Sequence, residues 1–246
     1  MRLWVILPAY NEAENIPAIF EDFRYLLDNT YNIDLRIVLV NDCSTDNTVE
    51  VARQTAASLS VQIISNPENL GLAKTFMRGM LQVITVADPR DIIVCMDSDN
   101  THLPGQLMQL VRGIEEGRDL VIASRFIPGA VVKGVPIHRR ILSRCMSILF
   151  RVCFPIPAVR DYSCGYRAYR AALLKRALDQ QGKDLFSANG FACMVSVLLK
   201  LHKLDAVCGE IPIVLRYDQK AGLSKLRIGE TIFATLKVLI RERFSA

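Results

Sequence analysis

Ile92-Ile93-Val94-Cys95-Met96-Asp97-Ser98-Asp99 is the stretch on which the fold turns. Its five apolar residues, three of them β-branched, suit a strand covered on both faces, as strands of a parallel sheet are. Two carboxylates follow at once. In extended backbone, residues two apart face the same way, so Asp97 and Asp99 can converge on one cation. Hard oxygen donors favour Mg²⁺ or Mn²⁺, and two protein ligands leave coordination positions for phosphate oxygens. An Asp-rich turn capping the helix that begins near Pro104 would use the same residues. Their place at the carboxyl end of a buried strand favours the metal.

Outward from this strand, short β-rich runs alternate with helical patterns. Residues 4–7 read as a strand ended by Pro8, and Ile16, Ile19, Phe20, Phe23 and Leu27 recur at helical spacing. Residues 35–40 form a second strand, and 41–47 an Asn/Asp/Ser-rich turn that caps a helix over about 48–57. A third strand at Val61–Ser65, a helix at Leu72–Val86, the helix from Pro104 and a fifth strand at Leu120–Ser124 complete the series. This order predicts an α/β fold, a mostly parallel sheet flanked by helices. Ligands of such sheets sit outside the carboxyl ends of the strands. Loops 8–12, 41–46, 97–102 and 124–125 should therefore line one crevice. Tyr10 suits stacking on a base and Asp42 suits accepting hydrogen bonds from a base or ribose, although ordinary strand-to-helix turns use the same residue types. No GxGxxG follows the first strand and no GxxxxGK[ST] occurs, which argues against dinucleotide and P-loop sites.

The second half is less regular. Residues 126–136 read as a loop, 137–154 as a helix broken by Pro155 and Pro157, and 171–181 and 188–201 as helices. Residues 207–215 read as a strand, 216–225 as a polar loop and 228–243 as a last helix. No linker divides the 246 residues, so one domain over 1–246 is expected. With 51% hydrophobic and 22% charged residues, the chain has enough apolar material for a sizeable core. The 30 Lys+Arg against 25 Asp+Glu leave +5, a mild excess that gives no reason to expect a nucleic-acid partner. No apolar run exceeds five residues, far below the ~18–20 needed to span a bilayer. The start lacks a signal-peptide core. Seven cysteines without a CxxC pair suggest neither a zinc site nor a redox motif, and fit a reducing cytoplasm.

In succession, PAYNE (8–12), VNDCSTDNT (40–48), NLGLAKTFMRG (69–79) and MDSDNTH (96–102) resemble the family 2 glycosyltransferases of the GT-A, Rossmann-like fold. ASRFIPG (123–129), Arg139 and Ser143, DYSCGYRAY (161–169) and RYDQKAGLSK (216–225) are similar to the polyprenyl-phosphate sugar transferases, among them the dolichyl-phosphate mannosyltransferases. The resemblance covers roughly residues 3–226. It implies that Pro8, Tyr10, Glu12 and Asp42 hold the nucleotide and that Asp97 and Asp99 are catalytic, holding the metal and the donor diphosphate. Thr101 stands at a metal position where the family often has Gln, so a hydroxyl replaces an amide oxygen. Arg125, Arg139 and Ser143 fall where the family grips the acceptor phosphate, with Arg125 also counted as catalytic, and Arg216 and Lys220 are both candidates in the following loop. The nucleotide-sugar part would be about 1–125 and the acceptor part about 126–246. The implied reaction is inverting, metal-dependent transfer of mannose or glucose from GDP-mannose or UDP-glucose to a polyprenyl phosphate.

The chemistry of a phosphate acceptor fits these residues. A phosphate monoester is largely anionic at neutral pH, its second pKa being about 6, so it needs cationic positioning rather than a strong base. The motifs supply arginines and no obvious base. His102 is the one candidate beside Asp97 and Asp99, and a hydroxyl acceptor on a lipid, glycan or secondary metabolite would direct suspicion to Asp161. A non-catalytic nucleotide-sugar-binding subunit is a third alternative, against which the intact acidic pair speaks.

At ~100° per residue, the helix from Ile137 puts Arg140, Arg144 and Arg151 on one stripe beside an apolar face of Ile137, Ile141, Cys145, Ile148 and Val152. Such a basic amphipathic helix suits the membrane interface, although a core helix with solvated arginines reads the same way. Many members of the family continue into transmembrane helices, whereas this chain stops at Ala246. Peripheral attachment at the cytoplasmic membrane face is therefore expected, through a membrane-anchoring partner or a homo-oligomer.

Overall fold

The computed structural model describes residues 1–188, 190, 192–219, 237 and 241. The expected last helix over 228–243 and Lys220 lie outside the described residues. A seven-stranded sheet is ordered β3-β2-β1-β4-β7-β5-β8, with β1 Arg2–Ala9, β2 Asp34–Asn41, β3 Val61–Ser65, β4 Ile92–Cys95, β5 Leu120–Ser124, β7 Arg167–Arg170 and β8 Cys208–Pro212. All run parallel except β7, which is antiparallel to both β4 and β5. Helices α1 (Ile16–Asp28), α2 (Thr48–Ala56), α3 (Leu72–Val86), α4 (Leu107–Glu115), α5 (Ile137–Cys153), α6 (Ala171–Gln181) and α7 (Ala192–His202) flank it. This is the mostly parallel sheet flanked by helices that the strand and helix patterns predict, and it agrees with the GT-A fold that the resemblance implies.

Every residue of β4 is buried, as its apolar run requires, and β1 and β2 each end in five buried residues. The buried apolar side chains of both halves form one contiguous cluster. Helix α3 presses onto the β1–β2 face at Gly79, where a Cβ would stand 2.6 Å from Ile6 Cγ2 and 3.0 Å from Val40 Cγ2. Only a glycine permits that approach.

Several details differ from the pattern reading. Strand β1 runs on through Pro8 to Ala9, because β4 pairs only as far as Ile6 and Cys95 and the missing Pro8 N–H faces a side with no ladder partner. Strand β7 was hidden by its two arginines. Buried Arg167 donates to the carbonyls of Cys164, Tyr162 and Met194 at 2.6–2.7 Å, and Arg170 pairs with Asp119 at 3.3 Å. Residues 126–136 contain a short strand, β6 (Val131–Lys133), and the strand expected over 207–215 divides at buried Ile213. Its second part, β9 (Val214–Arg216), leaves the main sheet to pair with β6. Helix α7 begins at Ala192 rather than 188. No helix among the described residues is long and apolar enough to cross a membrane.

Candidate active site

The loops after β1, β2, β4 and β5 leave the sheet at one edge, and side-chain bonds tie the first three together. The Ser98 hydroxyl donates to the Pro8 carbonyl at 2.6 Å. Asn15 donates to Glu12 at 2.6 Å and accepts from Asn100 at 3.2 Å, so Glu12 is linked to the acidic loop through one amide. The Asn11 amide donates to the Ser44 hydroxyl at 3.0 Å, and the Thr45 amide returns a bond to Asn11 Oδ1 at 2.8 Å. Tyr10 stands half-buried at the lip of this frame.

Asp42, only 4% exposed, accepts Asn66 Nδ2 at 2.7 Å, the Leu70 amide at 2.8 Å and the Gly71 amide at 2.9 Å. These bonds pin a fifth loop, after β3, against the end of β2. Asn66 in turn accepts from Arg78 Nη1 at 2.7 Å. The fifth loop was missed in the sequence. The same rule of strand carboxyl ends, applied to Asn66-Pro67, would have found it.

Asp97 is half-buried and Asp99 buried at 9% exposure. Thr101 serves Asp99, donating both its hydroxyl at 2.6 Å and its amide at 3.2 Å to Oδ1. His102 serves Asp97: its Nδ1 accepts the Asp97 backbone N–H at 3.0 Å, which puts the neutral ring's proton on Nε2. The ring, 4% exposed, stacks on Tyr166 with centroids 5.0 Å apart. Strand β9 then closes the loop, with Arg216 N donating to the Thr101 carbonyl at 3.0 Å and Leu215 bridging His102. Asp97 and Asp99 offer hard oxygen donors suited to a divalent cation.

At the end of β5, Arg125 Nε and Nη2 each stand 2.7 Å from an oxygen of fully buried Asp161, and Nη2 also donates to Ser163 at 2.8 Å. Burial pushes the Asp161 carboxyl up, but the charge and hydrogen bonds of Arg125 outweigh it and hold it below the ordinary aspartate value. Burial likewise opposes the Arg125 charge and Asp161 more than restores it, leaving the arginine pKa raised. Asp161, the residue to suspect for a hydroxyl acceptor, is thus a buried carboxylate paired to arginine that also accepts the amides of Arg125, Ser163 and Cys164. Burial also pushes the neighbouring Cys164 thiol up to about 12, so it is not a thiolate nucleophile.

Arg139 Nη1 donates to the Tyr217 hydroxyl at 2.9 Å, which joins the start of α5 to the turn after β9. Arg216 is forked onto Asp218 at 3.0 Å. Ser143 lies half-buried one turn along α5 from Arg139. Further along α5 every member of the expected apolar face is exposed: Ile137, Ile141, Cys145, Ile148 and Val152, with Val152 at 76%. Arg140, Arg144 and Arg151 are exposed beside them, while Ser147 and Phe150 turn inward.

The family model described as Glycosyl transferase family 2 matches residues 4–181. The chain belongs to that family. This glycosyltransferase is 30% identical over 242 residues to a dolichol-phosphate mannosyltransferase of Pyrococcus furiosus, covering 98% of the present chain and 63% of that one. It is 28% identical to a polyprenol monophosphomannose synthase of Mycolicibacterium smegmatis, over 98% of this chain and 88% of the relative. It is 30% identical to an undecaprenyl-phosphate mannosyltransferase of Micrococcus luteus, over 94% and 91%. Among solved structures, a glucosyl-3-phosphoglycerate synthase of Mycobacterium tuberculosis, crystallised with Mn²⁺, uridine diphosphate and phosphoglyceric acid, superposes with a TM-score of 0.69. That likeness, at 17% identity over 99% of this chain and 78% of the other, concerns the fold.

The glycosyltransferase fold thus brings Pro8, Tyr10, Glu12 and Asp42 to one side of Asp97 and Asp99, and Arg125 to the other. Arg139 and Arg216 are both held by the turn after β9, on Tyr217 and Asp218. Sequence reasoning missed Ser163, Tyr166, Tyr217 and Asp218, all of which fix a predicted site residue in place.

Proposed function

We propose that this glycosyltransferase moves a hexose, mannose or glucose, from GDP-mannose or UDP-glucose to a polyprenyl phosphate, with inversion at the anomeric carbon. The observation that carries the reading is a set of held arginines, Arg125 on Asp161, Arg139 on Tyr217 and Arg216 on Asp218, beside two candidate bases that are already engaged. Asp161 is locked to Arg125, and His102 Nδ1 is occupied by the Asp97 amide. An acceptor hydroxyl would need its proton removed, whereas a phosphate monoester arrives as an anion and needs only to be held. The names of the relatives support a polyprenyl phosphate acceptor, and mannose as the first donor sugar to try.

In this reading, residues of the 1–125 part hold the nucleotide sugar. Tyr10 stacks on the base, Pro8 and Glu12 shape the wall, and Asp42 fixes the loop that closes it. Asp97 and Asp99 would hold Mg²⁺ or Mn²⁺, with Thr101 orienting Asp99; the ion, when bound, neutralises charge on the departing nucleoside diphosphate. Residues of the 126–246 part, with Arg125, hold the acceptor. Arg125 Nη1, Arg139, Ser143, Arg216 and Lys220 would grip the phosphate, with its oxygen in line with the anomeric carbon. The exposed apolar face of α5, flanked by arginines, supports peripheral docking on an anionic membrane surface, where the isoprenoid lies.

The test supplies purified protein and divalent metal with labelled nucleotide sugars and either a short polyprenyl phosphate or the matched polyprenol. Label entering the organic phase with the phosphate alone is expected. Equal transfer to the polyprenol would replace this reading with a hydroxyl-acceptor enzyme.

A further inference from the structure

At the far end of α5 an open pocket of about 390 Å³ lies between Arg151, Arg160 and the turn 155–159. Its lining holds two arginines, two prolines, Ile156, Ala158 and Val159, and no carboxylate. The wall is built rather than incidental. The Tyr162 hydroxyl donates to the Phe154 carbonyl at 2.6 Å and accepts the Ile156 amide at 3.2 Å, which ties the start of the turn, on either side of Pro155, to one phenol. Phe150 stacks on both Phe154 and Tyr162, with centroids 6.3 and 5.8 Å away. Two prolines with fixed φ leave little entropy to lose when a ligand settles. The pocket is also remote from the acceptor clamp: twelve residues of helix from Arg139 to Arg151 correspond to ~18 Å.

Two features of the surroundings identify the occupant. Val152 and Ile148, on the exposed apolar stripe, lie in the last turns of α5, on either side of Arg151 in the sequence, and Arg151 lines the pocket. The exposed arginines at its mouth supply charge complementary to a phosphate, beside an apolar wall that a free phosphate would not use. We propose that this pocket holds the headgroup of an anionic phospholipid, its phosphate between Arg151 and Arg160 and its first acyl carbons over Pro155, Pro157 and Val152. The inference rests on α5 facing a membrane. It adds a second lipid site that anchors the far end of the helix, so that the acceptor end is held at a fixed height over the bilayer.

Short-chain phosphatidylglycerol, used as a monomer, tests the site without the surface potential of a bilayer. Calorimetry on the full chain should show one saturable site, weakened more than ~10-fold in the double variant R151Q/R160Q and unchanged in R140Q/R144Q, which removes the same charge from the middle of the helix. Equal weakening in both variants, or no saturable binding, overturns the pocket. Glycerol phosphate binding as tightly as the lipid would make it a free-anion site and overturn the lipid assignment. Sedimentation with phosphatidylcholine vesicles with and without phosphatidylglycerol separates the two levels. If the wild-type protein pellets with neither, the membrane reading of α5 fails and this inference with it. If it pellets equally with both, the pocket fails, and with it the preference of the α5 arginines for an anionic surface, while docking through the apolar face stands. Preference for the anionic vesicles, lost in R151Q/R160Q, is the expected result.

Discussion

The guanidinium of Arg125 lies against the carboxylate of Asp161, with Nε and Nη2 each 2.7 Å from a different oxygen. The pair joins the end of β5 to the turn before β7, and Glu210 on β8 supports it by accepting the amides of Arg160 and Asp161 at 2.7 and 2.6 Å. Asp161 is fully buried while the Arg125 side chain is 22% exposed, so the arginine is aimed by its partner and meets solvent along its remaining edge. A freely rotating arginine would lose several torsions on meeting a phosphate. One clamped by a buried carboxylate has already lost them.

Replacing Asp161 by Asn keeps the shape and removes the charge, leaving Arg125 uncompensated. A loss of about 3–5 kcal/mol of unfolding free energy is expected by urea denaturation. The pH dependence has a definite sign. Asp161 is held below its ordinary value, so the stability it contributes is complete above the unfolded carboxylate range, about pH 4, and is lost as pH falls through the depressed folded value. The wild-type protein should lose stability down this acid limb, and the Asn variant should show a shallower one. Superimposable acid limbs would mean that the ion pair is not what the fold depends on there.

Asp97 and Asp99 are predicted to matter through the metal. Asp97→Asn and Asp99→Asn should each lower transfer by about 10²–10³-fold and remove the metal dependence of nucleotide-sugar binding, followed by calorimetry with and without chelator. Thr101→Val takes away the 2.6 Å hydroxyl bond to Asp99 without touching either carboxylate, so metal affinity should fall about 10–100-fold with little change in fold stability. Nucleotide-sugar binding that is indifferent to chelator in the wild-type protein would remove the role of the pair.

What the sequence revealed and what it hid follow from the range of the interactions. Strands β2, β3 and β4 and helices α1 and α3 were legible because their apolar periodicity is set locally, and strand ends follow from topology. Strand β7 was not, because Arg167 reads as polar until the carbonyls of Tyr162, Cys164 and Met194 are seen to surround it. The division of residues 207–215 was hidden too, since pairing with β6 depends on a partner about eighty residues away. In the site, the place of Asp97 and Asp99 at the crevice could be read from their position just after a buried strand, which spacing alone would have left open to a capping turn. The hydrogen bonds that Asp42 and Asp161 make within the chain could not: both are buried, and their partners Asn66, Leu70, Gly71 and Arg125 stand 24 to 36 residues away.

His102 is predicted to position rather than to transfer protons. Its Nδ1 is committed to the Asp97 amide and its ring to Tyr166. His102→Phe would preserve the stacking and leave a part-buried N–H without its acceptor, costing about 1–3 kcal/mol in stability. Turnover should fall while KM for the nucleotide sugar changes little, and the shape of the pH–rate profile between pH 5.5 and 8 should match the wild type. Loss of an acid limb in that window would instead make His102 a general base.

The turn after β9 is where acceptor affinity is predicted to be set. Arg216 is forked onto Asp218, which occupies the guanidinium edge that a phosphate would use. Asp218→Asn weakens that internal competitor, so KM for a polyprenyl phosphate should fall several-fold at low ionic strength, with the nucleotide-sugar KM unchanged. Gly134 supports the same turn from below at φ +76°, where a Cβ would stand 2.6 Å from the Asp218 backbone nitrogen. Gly134→Ala is strained at that φ and also displaces backbone that cannot yield as a side-chain tip can. It should therefore raise the acceptor KM, opposite in direction to Asp218→Asn, again without affecting the nucleotide sugar. Steady-state kinetics with each substrate varied in turn distinguishes the two, and a change in the nucleotide-sugar KM from either variant would show that the turn serves the other half of the crevice.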